Sequence, residues 1–217
     1  MTRAPGTGVR SYDARWGYRA IDARRYERRR YGGFARRLNL KLLERALGRA
    51  LAGLPPGSLV LDAPCGTGIL HDFLRTRGFR VIGADISAAM LAVAAERGRA
   101  QGYVRGDVER PPYRPGAVDA VVCSRFLMHL PPAGRVEVLR ALAEVSRGPI
   151  VATVCHPYTV KNLGRSIRRL LGRPAKRSPR LTRRALAAEV AASGLRLAGL
   201  LPVMPLLSEV WVVVLRA

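Results

Sequence analysis

From residue 58 onward, short β-branched or apolar runs alternate with stretches of helical periodicity, and this alternation limits the chain to a small set of folds. The runs at 58–61, 79–84, 103–105, 118–123, 150–154, 195–201 and 210–215 read as seven strands, and 68–77, 88–97, 132–147 and 181–193 as helices. Gly78, Gly98, Gly148-Pro149 and Gly194 follow the helical stretches as stop signals, and Ser87 precedes one as an N-cap. Strands alternating with helices are the signature of βαβ units, whose strands pair in parallel through a crossover. An α/β domain follows. At 217 residues the chain has the size of one such domain. Ahead of the sheet, Phe34, Leu38, Leu42, Ala46, Ala50 and Leu54 recur at helical spacing and predict an amphipathic helix over 34–52.

The strand ends carry the chemistry. Strand one runs into Asp62-Ala63-Pro64-Cys65-Gly66-Thr67-Gly68 and then a helix, so glycines bring backbone close to whatever sits above, at a helix start that favours an anion. A dinucleotide fingerprint would place a third glycine where His71 stands, which argues against a nicotinamide or flavin. Strand two ends in Asp85, a carboxylate able to accept from both hydroxyls of a ribose, and strand three leads to Asp107, able to accept from an adenine amine between the apolar walls of Met90 and Val108. Each acid alone is more often a turn or cap residue. Three in order along the carboxyl edge of a parallel sheet form a ligand site.

On LVLDAPCGTGIL, GADISAAML, RGDVERPPY and VDAVVCSRFLMHLP, residues 58–154 resemble the class I S-adenosylmethionine-dependent methyltransferases, in particular those acting on small molecules and in quinone biosynthesis. The resemblance implies a doubly wound, Rossmann-like, seven-stranded, mostly parallel sheet with an antiparallel C-terminal strand, and S-adenosyl-L-methionine as cofactor. It places Asp62, Gly66 and Gly68 on the methionine side, Asp85 on the ribose, Asp107 with Val108 on the adenine and Ser124 near the sulfonium; Ala63, Cys65, Ile86 and Met90 complete the cofactor set. Pro64 stands where the family has its first glycine. His129 and His156 are the candidate bases, and Tyr18, Tyr158 and Asn162 the candidate substrate contacts.

The formal charge of +23 is concentrated in two blocks, residues 10–37 with net +7 and residues 161–184 with ten Lys or Arg and no acid. Such blocks suit an anionic partner, although only three of the basic residues are lysines and an Ala, Arg and Gly-rich composition accounts for part of the excess. The division expected is a helical cap over 1–56 and a methyltransferase domain over 57–217 with a basic lid at 157–180. Lys161–Gly172 reads as a basic amphipathic helix within that lid. Cys65, Cys123 and Cys155 lack metal or disulfide spacing and are expected to be reduced, buried thiols, with no metal bound. No apolar run reaches a membrane span and no signal-peptide stretch is visible, so the expectation is a cytoplasmic protein, with peripheral contact at the inner membrane face left open by the basic blocks.

The leading function is methylation of a small or lipid-like, anionic acceptor. Interleaved Arg and aromatic residues keep an RNA methyltransferase as the alternative, though no asparagine-proline-proline-aromatic tetrapeptide follows strand four. A non-catalytic cofactor-binding partner subunit is the third reading.

Overall fold

The structure, a computed structural model, describes residues 22–25, 33–160, 162 and 180–217. In chain order it holds α1 (Phe34–Ala50), β1 (Leu59–Asp62), α2 (His71–Thr76), β2 (Arg80–Asp85), α3 (Ala88–Glu96), β3 (Gly102–Arg105), β4 (Ala120–Cys123), a 3₁₀ turn (Leu127–His129), α4 (Pro132–Val145), β5 (Ile150–Cys155), α5 (Arg183–Ala192), β6 (Arg196–Pro202) and β7 (Val210–Arg216). The seven strands form one sheet in the order β3-β2-β1-β4-β5-β7-β6. The first five pair in parallel, and β7 runs antiparallel to both β5 and β6. After β3 the chain crosses to the other side of β1, so the carboxyl ends of β1 and β4 flank the switch point where such sheets bind ligands.

Both faces of the sheet are covered, which explains why its strands read as continuous apolar runs. Val60, Val81, Ala120, Val122, Val151 and Val212 face Leu43, Leu47 and Leu51 of the α1 region and Leu70 and Leu74 of the α2 region. The alternate residues Leu61, Val121, Ala152, Val154, Val213 and Leu215 pack on the other face with Leu139 and Leu142 of α4 and Leu186 and Val190 of α5. Strand periodicity of two thus sorts each side chain into one of two cores.

The helix ahead of the sheet forms, but on a different stripe from the one the spacing predicts. Phe34 is 84% and Leu38 45% exposed, whereas Leu43, Ala46 and Leu47 are buried. A row repeating every four residues drifts around a helix of 3.6 residues per turn, so Phe34 and Ala46 cannot share one contact line; the buried stripe runs through Leu43 and Leu47 to Leu51. In α4 the expected stripe of Val136, Leu139, Leu142, Ala143 and Ser146 is corrected in the same way: Val138 and Val145 are buried beside Leu139 and Leu142, and Val136, Ala143 and Ser146 are not among the buried residues of the helix. The first sheet helix starts at His71 rather than Gly68, because Gly66 and Gly68 take left-handed φ of 55° and 70° that no regular helix contains.

Two tight contacts fix helix to helix and turn to turn around the sheet. Arg135 of α4 donates to both carboxylate oxygens of Glu189 on α5, at 2.7 and 2.6 Å. Gly148, in the turn into β5, lies against the backbone of the turn into β4, so that a Cβ there would stand 2.4 Å from the Asp119 carbonyl oxygen. Backbone cannot yield as a flexible side chain does, and overpacking of this kind costs about 1–3 kcal/mol. Gly148→Ala is accordingly expected to lower the unfolding free energy by roughly 2 kcal/mol in urea titration with an unchanged m-value.

Candidate functional site

The site is built on the carboxyl edge of β1, β2 and β3. Asp85, at the end of β2, is buried, and its two carboxylate oxygens each accept one backbone N–H: Gly66 at 2.9 Å to Oδ2 and Ser87 at 2.8 Å to Oδ1. It therefore ties the glycine loop to the start of α3, whose N-cap Ser87 in turn accepts from the Met90 N–H. A carboxylate has about four lone-pair sites, so Asp85 keeps acceptor capacity for a ligand hydroxyl. Burial raises the Asp85 pKa, with the Asp62 charge adding to it and the Ser87 and Gly66 N–H groups opposing it. A ligand diol would supply further donors to that desolvated charge.

Asp62 ends β1 almost fully buried, with Oδ2 3.2 Å from His71 Nε2 and Oδ1 lacking any hydrogen-bond partner among the described residues. The His71 contact has the distance of an ion pair without the alignment of a hydrogen bond, and neither ring nitrogen has a hydrogen-bond partner among the described residues. The ring fills space that two glycines vacate: a Cβ on Gly68 would stand 2.7 Å from His71 Nδ1, and one on Gly83 2.8 Å from Cε1. His71 is thus the floor of the loop rather than a wall of the pocket. Above it, Gly66 has no described atom within 4 Å of where a side chain would start. The loop presents open backbone, an orphaned carboxylate oxygen and a diol acceptor in one place, which fits the amino-acid end and ribose of an adenosyl-methionine cofactor.

The other cofactor-side residues fall around this centre. Ala63 and Cys65 are buried in the loop, with the Ala63–Pro64 peptide cis and the Cys65 N–H donated to the Ala84 carbonyl at 2.8 Å. Burial beside Asp62 and Asp85 pushes the Cys65 thiol far up, and burial does the same to Cys123, so neither is a thiolate. All three cysteines are free, Cys155 being half-buried. Met90 and Val108, the expected adenine walls, are both buried, and the half-buried Ile86 offers its carbonyl to Arg105 Nε at 3.3 Å. Asp107 lies half-buried after β3, with Oδ1 accepting from the Glu109 N–H at 3.0 Å. Tyr113 closes RGDVERPPY without any pattern to single it out, yet its buried hydroxyl has no partner among the described residues, and burial with the nearby Cys65 pushes its pKa up to about 12.

Residues 60–148 match the family model described as a methyltransferase domain. The chain carries a methyltransferase domain. Over 80 residues it is 41% identical to the malonyl-[acyl-carrier protein] O-methyltransferase of Serratia marcescens, covering 36% of this chain and 31% of that one. Over 110 residues it is 34% identical to the ubiquinone biosynthesis O-methyltransferase of Bordetella parapertussis, covering 48% and 45%. The chain thus matches less than half the length of these curated relatives. The fold is shared with the magnesium protoporphyrin IX methyltransferase of Synechocystis solved with bound S-adenosylhomocysteine, at TM-score 0.74 and 22% identity over 94% of this chain and 98% of that one. The domain is of the class I S-adenosylmethionine-dependent kind, as the motifs imply.

The remaining named residues of this methyltransferase domain lie past β4 and β5, on the adjoining half of the same edge. Ser124 follows β4 half-buried, and the next residue, Arg125, takes a left-handed φ of 57° with its N–H donated to Thr153 Oγ1 on β5 at 2.6 Å. A non-glycine residue in that region marks a constrained turn, and nothing in the sequence pattern signals it. His129 closes the 3₁₀ turn and lines a cavity with Arg135, Arg180 and Glu189. His156 lies apart from His129, buried in a stack with Trp211 at 4.2 Å between ring centroids and Tyr158 at 5.9 Å, its Nδ1 accepting from the Tyr158 N–H. Asn162 is buried and its N–H is donated to Thr159. Tyr18 lies outside the described residues, as does the amphipathic stretch Lys161–Gly172 apart from Asn162.

Desolvation lowers the His156 pKa below its ordinary value, and Arg180 adds to this against the Ser208 backbone and Glu209. The fold therefore favours the neutral ring. Its contribution to stability is complete above the ordinary histidine value of about 6.5 and is lost as the pH falls through the lower folded value. The thermal midpoint is expected to drop on acidification below about pH 6.5, and His156→Phe, which keeps the stack on Trp211 but cannot charge, should flatten that limb in scans from about pH 7.5 to 5.

Proposed function

We propose that this protein transfers the methyl group of S-adenosyl-L-methionine to a small-molecule or lipid-like acceptor. The observation that carries the reading is the buried Asp85 carboxylate, held by the Gly66 and Ser87 N–H groups, beside the orphaned Asp62 oxygen and the open backbone of Gly66. The cofactor supplies a sulfonium-activated methyl group. Asp85 takes the ribose hydroxyls, Asp62 and the glycine loop the charged amino-acid end, and Met90 and Val108 sandwich the base with Asp107 at its rim. Ser124 and the fixed Arg125 turn border the methyl.

The residues on the β4 and β5 side align the acceptor. Displacement at the methyl needs the attacking atom in line with the carbon–sulfur bond, and such alignment contributes up to roughly 7–11 kcal/mol without any acid or base. Where the acceptor atom starts protonated, His129 is the base we assign, because it lines a cavity; His156 is enclosed among aromatic rings and holds a backbone N–H. The division into a helical cap over 1–56 and a basic lid over 157–180 stays part of the proposal. The malonyl-[acyl-carrier protein] and ubiquinone relatives support this reading, while the 18S rRNA (guanine-N(7))-methyltransferase of Mus musculus, 37% identical over 101 residues, keeps RNA as the second reading; among the described residues no helix is long and apolar enough to cross a membrane. Contact with an anionic membrane surface through the basic blocks and a cytoplasmic location stay part of the proposal.

Calorimetric titration of the full chain with S-adenosylhomocysteine tests it. Wild-type protein is expected to bind in the micromolar range; Asp85→Ala should weaken binding at least about tenfold, since a hydrogen bond to a charged group contributes about 1.5–3 kcal/mol. No heat at millimolar ligand, or an unchanged affinity in Asp85→Ala, would overturn the assignment.

A further inference from the structure

A cavity of about 430 Å³ lies between the 3₁₀ turn, the first turn of α4 and the start of α5, where His129, Arg135, Arg180 and Glu189 meet the apolar Leu130 and Leu181. It sits on the sheet edge already described: His129 follows β4, and the Leu181 N–H is donated to the carbonyl of Cys155 at the end of β5, at 2.8 Å. The two arginines are in different states. Arg135 has all three nitrogens engaged, two on the Glu189 carboxylate and Nη1 donating to the Leu130 carbonyl at 2.6 Å. Arg180 donates from Nη2 to Glu209 Oε2 at 2.8 Å, while its Nε is buried with no partner among the described residues and its side chain is only 10% exposed.

A guanidinium offers five donors in a planar fork suited to bidentate capture of an oxyanion. Leaving one buried and unmet costs a full desolvation penalty, and such orphans occur where a partner is missing. Glu209 is 24% exposed, so it can swing into solvent and surrender the fork. Of the charges lining the cavity, Glu189 is answered by Arg135, while Arg180 spends one donor on Glu209 beside it; Arg183 lies over the Trp211 ring at 5.7 Å. His129 completes the polar side, and Leu130 with Leu181 offers surface for an apolar body.

We propose that Arg180 is a specificity-determining residue that receives a carboxylate or phosphate group of the acceptor, displacing Glu209 and orienting the acceptor from the β4–β5 side. This rests on the methyl-transfer reading, and Glu209 is the internal stand-in for the missing oxyanion.

The test is a titration of the full chain, saturated with S-adenosylhomocysteine, against benzoate, phenyl phosphate and the neutral isostere benzamide, read by saturation-transfer NMR. Benzoate or phenyl phosphate should bind at least about tenfold more tightly than benzamide, and whichever of the two is the tighter names the oxyanion. Arg180→Gln should remove that preference, Arg180→Lys should keep part of it, and Glu209→Gln should tighten the anion several-fold, all with unchanged S-adenosylhomocysteine affinity. Equal binding of benzamide in wild-type protein overturns the proposal whether or not any variant folds. So does an anion affinity indifferent to both Arg180→Gln and Glu209→Gln. Failure of S-adenosylhomocysteine to bind would strike the methyl-transfer reading instead.

Discussion

One carboxylate organises the carboxyl edge of this sheet. Asp85 accepts from Gly66 and from Ser87, and so fixes the loop after β1 to the helix after β2 through a single side chain standing between them. Backbone N–H groups in such loops must find acceptors once buried, and here the acceptor is also the group best placed to receive a ribose. Because burial already raises its pKa, Asp85 sits in a state that further hydrogen-bond donors relieve. Loop geometry and ligand affinity are therefore two uses of the same charge.

Beneath the loop, His71 does what a third glycine does in dinucleotide-binding sheets by another means. Gly68 and Gly83 give up their side-chain volume, and the imidazole occupies it, within 3.2 Å of Asp62. The substitution that argues against a nicotinamide in the sequence is, in three dimensions, the packing solution for this loop. The loop also delays α2 to His71, because Gly66 and Gly68 take left-handed φ.

The seven strands, the Ser87 cap and the three acids are legible in the sequence because each depends on local chemistry: short apolar runs between turn signals, a hydroxyl before a helix, a carboxylate where a parallel strand ends. The stripe on α1 is not, because Phe34, Leu38 and Leu42 recur every four residues and so leave the face that Leu43 and Leu47 bury. Arg180 cannot be found from sequence at all. Among ten bases in a block without acids, only burial against Glu209 distinguishes it. The stacking of His156 on Trp211 is equally hidden, since β7 returns antiparallel beside β5 from far along the chain and brings the ring into contact.

The central claim is that an adenosyl-sulfonium cofactor lies across the ends of β1 and β2 and leaves the β4–β5 half of the edge to the acceptor. A crystal structure of the full chain grown with S-adenosylhomocysteine tests this most directly. The account predicts both ribose hydroxyls on Asp85, the amino-acid end over Gly66 and Gly68, and the sulfur facing Ser124. A ligand seated elsewhere, or one whose ribose makes no contact with Asp85, would contradict it.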